Sequence, residues 1–213
     1  MTTIILIRHG ESEANKHGVF AGHTDADLQP KGLAQAKTTA KYIADNYNVD
    51  KIYASDLKRA YKTAMCLGEI LDLEVIAEEG LREINAGEWE GIEFDKLLLS
   101  YPDEYGKWIN DIGASVCNGG ESVEQLGERI MSALTKIAKE NEGKTVAIAT
   151  HATPIRVAQT LIKTGALKEM KNIPWVTNAS VTVFEYSSGV WSIKAESIDE
   201  HLGELKSALP KNV

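Results

Sequence analysis

Apolar residues recur along this chain with two periods. Ile4 to Ile7 is a continuous apolar run and Thr145 to Ala149 is nearly one. Runs of that length fit strands buried on both faces of a parallel sheet. Lys51 to Ala54 and Glu74 to Ala77 read as shorter strands, and Val181 to Tyr186 and Trp191 to Ala195 flank Ser187-Ser188-Gly189, a hairpin signal. Helical spacing governs the segments between. Pro30 opens one helix at a position where its missing N–H costs nothing, with Leu33, Ala36, Ala40, Ile43 and Ala44 as its expected buried stripe. Ser55 and Asp56 are expected to cap a second helix that runs to about Leu71. A long third helix, from about Glu121 to Glu140, carries Val123, Leu126, Ile130, Leu134 and Ile137 on one side and Ser122 with Gln125 at capping-box spacing. Another is expected to begin just beyond His151.

Gly87 to Gly120 departs from this order. Trp89, Tyr101, Tyr105 and Trp108 fall close together there, interrupted by Pro102 and several glycines. Short helices folded over one end of the sheet are expected, their aromatic rings either packing the insertion or lining a pocket. The polar tail after Glu200 is expected to fray. Strands alternating with helices predict an α/β fold, a three-layer α/β/α sandwich with a mainly parallel central sheet. The insertion, at about 87–120, would cover the end that carries the site.

With 213 residues, 43% hydrophobic and 25% charged, the chain reads as one globular domain over 1–213. Its formal net charge of -8 gives no overall electrostatic reason to bind nucleic acid or an anionic membrane. Cys66 and Cys117 have no metal-ligand or C-x-x-C spacing and read as reduced thiols. The opening apolar run is too short for a signal peptide, and no uninterrupted apolar stretch has spanning length. A cytoplasmic location is therefore expected.

In open α/β sheets ligands bind beyond the carboxyl ends of the strands. His9 follows the first strand and His151 the later buried one, so adjacent strands would bring the two imidazoles together. Arg8 sits beside His9, and Gly10 is read as a residue that lets backbone approach a ligand. Arg59 lies one turn into its helix. Glu83 and Glu88 fall in the loop after the third short strand, with Glu90 as a further carboxylate. This set suits phosphoryl transfer. Arginine binds a phosphomonoester dianion in a planar fork, a neutral imidazole nitrogen can attack phosphorus, and a carboxylic acid can protonate the leaving alkoxide. No H-x-H or H-x-x-x-H spacing exists, and neighbouring arginines would repel a dication, so no metal is expected.

Arg8-His9-Gly10-Glu11-Ser12 with Asn15 resembles the signature of the histidine phosphatase superfamily, the phosphoglycerate-mutase-like group. The resemblance extends through Thr24-Asp25-Ala26-Asp27-Leu28 with Gly32, Ser55-Asp56-Leu57-Lys58-Arg59-Ala60 and Leu81-Arg82-Glu83-Ile84-Asn85. It continues in Gly87-Glu88-Trp89-Glu90-Gly91, Gly119-Gly120-Glu121-Ser122, and His151 with Arg156. It implies His9 as the nucleophile that becomes phosphohistidine, and Arg8, Arg59 and His151 as phosphoryl-binding groups. It further implies Asn15 in the phosphate or substrate pocket, Glu83 as general acid, and Gly22 and Ser55 near the pocket without firm roles. No cofactor is implied, and the partner would be a small phosphorylated metabolite; a homodimer is left open.

Two departures stand out. Ala152 replaces the family's usual glycine. Ile92 to Trp108 lacks the Tyr-Gly-Gly segment and basic residues with which cofactor-dependent phosphoglycerate mutases hold a bisphosphorylated intermediate. The chain is in that respect similar to the broad-specificity and alpha-ribazole phosphatases. Hydrolysis is the expected reaction and mutase chemistry the alternative.

Overall fold

The computed structural model describes residues 1–209; the last four positions of the expected 1–213 unit lie outside the described residues. Six strands form one sheet: β1 Thr2–Arg8, β2 Lys51–Ala54, β3 Val75–Ala77, β4 Thr145–Thr150, β5 Val181–Ser187 and β6 Val190–Ile198. Their order is β3-β2-β4-β1-β5-β6. The first four in that order run parallel, while β5 pairs antiparallel with both β1 and β6. β1 alternates its core residues between the two faces. Ile4 and Leu6 enter one hydrophobic cluster and Ile5 and Ile7 the other, as the period of two requires. Helices α2 (Pro30–Asn46) and α3 (Lys58–Leu71) cover the second face. Helices α6 (Val123–Glu140) and α7 (Ala152–Thr164) cover the first. The three-layer expectation holds.

Between them lie two short helices of the insertion, α4 (Phe94–Ser100) and α5 (Pro102–Asn110), with single 3-10 turns at Gly87–Trp89 and Ile112–Ala114. Phe20 reaches into this insertion and meets Trp89, Phe94 and Trp108 edge-on at centroid distances of 5.7, 5.8 and 5.2 Å. That geometry suits ring quadrupoles and ties the insertion to the loop after β1. The β5–β6 turn places Ser188 and Gly189 at φ 50° and 86°. Positive φ at both central residues matches the right-handed twist of a two-residue hairpin.

Several local expectations need correction. Leu33 is 40% exposed, and the buried side of α2 is Gly32, Gln35, Ala36, Thr39, Ala40 and Ile43. Helix α3 is not capped by its own Ser55 and Asp56. Leu57 occupies the cap position, and the Lys58 backbone N–H donates to Asp25 Oδ1 at 2.7 Å, from a distant loop. Ser55 and Asp56 are engaged elsewhere, with His151 and Arg82. A short helix, α1 (Glu13–His17), stands where only a loop was expected, closed by a Ser12–Asn15 capping box. The tail does not fray at Glu200. Glu200–Leu205 forms 3-10 turns with Leu202 buried, and His201 stacks on Tyr42 at 4.5 Å while bonding Thr39.

Gly10 has a different function from the one expected. A Cβ there would lie 2.2 Å from Gly32 O, and a Cβ on Gly32 would lie 2.0 Å from Glu11 O. The pair lets the loop after β1 press against the first turn of α2. Helix propensity alone predicts that Gly32→Ala gains about 1 kcal/mol. The backbone clash outweighs that, and a net loss of about 2 kcal/mol or more is expected. Urea denaturation measures it; an unchanged or raised midpoint would contradict the clash.

Candidate active site

The parallel pairing of β1 with β4 sets Arg8 beside Thr150. The next residues, His9 and His151, therefore leave the sheet side by side. Their ring centroids are 5.1 Å apart, inclined at 63°. His9 Nδ1 lies 2.7 Å from Gly10 O. A carbonyl only accepts, so Nδ1 carries the hydrogen and Nε2 keeps its lone pair. Burial, then Arg59 and Arg8, hold the His9 pKa well below 6.5, so the ring is neutral near pH 7. Burial followed by Arg59 and His9 does the same to His151. His151 Nε2 bonds Ser55 Oγ at 2.9 Å, which gives Ser55 a place in the site.

Two guanidiniums stand against these rings. Arg8 is anchored by one bond, Nη1 to Val176 O at 2.6 Å. Desolvation lowers its pKa to about 10, Glu83 opposing and Arg59 adding to the effect. Arg59 donates to Thr24 O at 2.9 Å and Gly22 O at 2.8 Å. Gly22 thus orients an arginine through its carbonyl. It has φ +52°, and a Cβ there would meet Glu90 Oε1 at 2.3 Å. Arg8 Nε and His151 Nδ1 are buried with no partner among the described residues. Buried polar groups of that kind are satisfied by something, and an oxyanion accepting from Arg8 Nε, and from His151 Nδ1 in the tautomer that carries its hydrogen there, would serve.

Arg8, His9, Asn15, Gly22, Arg59 and Glu83 all border one pocket. Asn15 both caps and lines. Its Oδ1 accepts from Ser12 N and Oγ and from Asn178 Nδ2, at 3.1, 3.0 and 3.1 Å. The first turn of α7 also borders it through Ala152 and Thr153. Ala152 is the first residue of that helix, with His151 as N-cap, so right-handed backbone suffices and glycine is not required.

Of the three competing carboxylates, only Glu83 lines the pocket. Glu90 accepts from His23 N and Thr24 Oγ1, both at 2.7 Å, and fastens that loop. Glu88 meets Tyr101 OH at 3.4 Å. The Glu83 loop is held from α6 by Arg129, which donates to Gly80 O, Arg82 O and Glu83 O at 3.1, 2.9 and 3.0 Å and pairs with Glu121. Arg129 was not foreseen. It reads as an ordinary helix arginine, since nothing local marks the three carbonyls it will meet. Asn178, also unforeseen, donates to His9 O at 3.0 Å.

Arg82, Arg156, His17 and His23 stand outside the pocket. Arg82 pairs with Asp56. Arg156 donates to Ile173 O and Met170 O at 2.6 and 2.8 Å. His17 faces solvent beside Glu13, and His23 Nε2 bonds Glu83 O at 2.8 Å. Trp108 lines the pocket, whereas Trp89 and Tyr105 are buried in the insertion's core. Among the described residues no group of three or more His, Cys, Asp or Glu is placed to hold a metal ion. Among the described residues no helix is long and apolar enough to cross a membrane.

The two neutral histidines make a pH prediction. Unfolded, each titrates near 6.5; folded, each resists protonation. Their effect on stability vanishes above that pH and becomes a loss as pH falls below it, with a slope of up to about 2.7 kcal/mol per pH unit. Urea titrations at about pH 7.5 and about pH 5.5 measure it against a His9→Asn variant, which should lose less. Equal losses would show that His9 is not held neutral.

Comparison with known proteins follows the same outline. The family model described as histidine phosphatase superfamily (branch 1) matches residues 4–199. Phosphoserine phosphatase 1 of Hydrogenobacter thermophilus is 32% identical over 204 residues, 96% of each chain. A metal-independent phosphoserine phosphatase of Arabidopsis thaliana is 33% identical over 209 residues, 96% of this chain and 85% of that one. A phosphoserine phosphatase of Entamoeba histolytica, solved in complex with phosphoserine, superposes with a TM-score of 0.83 at 30% identity, covering 95% of this chain and all of that one.

Proposed function

Because this chain belongs to the histidine phosphatase superfamily (branch 1), we propose that it hydrolyses phosphomonoesters through a phosphohistidine at His9, with no metal ion. The observation that carries this reading is the His9 ring itself. It is neutral, its Nδ1 is tied to Gly10 O, and the charges of two buried arginines, Arg59 and Arg8, act on it. Its Nε2 lone pair attacks phosphorus as the ester P–O bond breaks. Arg8 and Arg59 take up charge on the equatorial oxygens. His151, neutral and unpartnered at Nδ1, is the third donor in the tautomer whose Nε2 accepts from the Ser55 hydroxyl and whose hydrogen is on Nδ1. Glu83 delivers a proton to the departing oxygen, then removes one from the water that breaks the P–N bond. The last step returns His9 to its neutral form.

Hydrolysis is favoured over mutase transfer by the distribution of charge. Among the described residues, the only arginines or lysines bordering the pocket are Arg8 and Arg59. Both belong to the phosphoryl site. Retaining a bisphosphorylated intermediate needs a second set of cations. The partner is accordingly a small phosphorylated metabolite. Phosphate release from a panel of monoesters, with chelator present, tests the reading. Release that vanishes with chelator, or no release from any ester, would refute it.

A further inference from the structure

We propose that the alcohol released by this site is uncharged and apolar, so that the preferred substrates are alkyl or aryl phosphomonoesters and not phosphorylated amino acids. This rests on the phosphatase reading above and names its substrate class. The pocket is divided by chemistry. Every charged side chain that borders it, Arg8, Arg59 and Glu83, belongs to one cluster with His9, each acting electrostatically on another of the set. The rest of the wall is uncharged: Phe20, Phe94, Trp108 and Trp175 supply its aromatic part, and Ser12, Asn15 and Thr153 are its polar side chains.

The aromatic part of that wall is built, not incidental. Phe20 packs edge-on to both Phe94 and Trp108, and Trp108 lies 6.5 Å from Trp175. Arg156 sits over the Trp175 ring, its Cζ 4.2 Å from the centroid. This cation is therefore a prop for an aromatic residue of the wall. It is outside the pocket, and two of its donors are committed to backbone carbonyls.

A leaving group such as serine carries an ammonium and a carboxylate. Among the described residues, the leaving-group wall offers neither a cation for the carboxylate nor an anion for the ammonium. Desolvating both without partners is unfavourable. An alkyl chain or phenyl ring gains by leaving water for the same wall. The names of the relatives point to phosphoserine for those proteins; the wall of this pocket points elsewhere.

The test uses the purified full chain and primary alkyl phosphates, whose leaving oxygens are chemically alike. From ethyl to hexyl phosphate, kcat/KM is expected to rise roughly threefold per added methylene. 3-Phenylpropyl phosphate is expected to exceed O-phosphoserine by roughly 30-fold or more in kcat/KM. A flat alkyl series, or phosphoserine equal to or better than the phenyl ester, overturns the proposal while leaving the phosphatase reading intact. No release from any ester, 4-nitrophenyl phosphate included, overturns both.

Discussion

Replacing His9 by alanine is expected to lower phosphate release by roughly four orders of magnitude, about 5.4 kcal/mol of transition-state stabilisation. On the proposed mechanism the change removes the group that accepts the phosphoryl covalently. Arg8, Arg59 and His151 remain to bind the ester, so KM should change far less than kcat. Fold should survive, because alanine is smaller and the lost bond is a local one to Gly10 O. Rapid acid-free quenching after mixing with labelled ester should trap label on the wild type but not on the variant. A phosphoramidate is stable in alkali and lost in acid. Label with the opposite stability, or a variant that keeps its rate, would mean that His9 is not the acceptor.

Glu83→Gln tests the proton transfers and should show a signature that no mere packing defect gives. Glutamine has nearly the same shape and cannot donate or accept the proton. For an alkyl phosphate the expected loss in kcat is roughly 10²- to 10⁴-fold. For 4-nitrophenyl phosphate the first step needs little acid help, because the phenolate leaves readily. The second step still lacks its base. A burst of nitrophenol equal to the enzyme present, followed by slow turnover, is therefore expected. Equal losses for the two esters without a burst would remove Glu83 from both roles. Its alternatives are already committed, Glu90 to the His23 loop and Glu88 to Tyr101.

Much of the fold was legible because the signals were local and strong. The Ile4–Ile7 run, the helical stripe of α6 and the Ser188-Gly189 turn each follow from side-chain period or backbone preference. Positions near element ends were less legible. Leu33 satisfies helical spacing, yet the face of α2 is rotated by the Gly10–Gly32 contact, which demands the absence of two side chains. The cap of α3 comes from Asp25, more than thirty residues earlier, and no short window contains it.

The residues of the site follow the same division. Sequence by itself located the candidate groups: Arg8 and His9 at the end of one buried strand, His151 at the end of another, Arg59 within its motif. Covalent adjacency and strand period are properties of the chain, and they suffice to place both imidazoles at one edge. Tertiary structure decided everything that depends on approach between distant segments. It selected Glu83 from three carboxylates and set Arg129 behind it. It fixed the His9 tautomer through Gly10 O and turned Gly22 into an anchor for Arg59. It also made one pocket wall from Val19, Phe94, Trp108 and Trp175. The reason is physical: hydrogen bonds, desolvation and ring contacts act over a few ångströms in space. Which residues come within that range is set by how the layers close, not by their spacing along the chain.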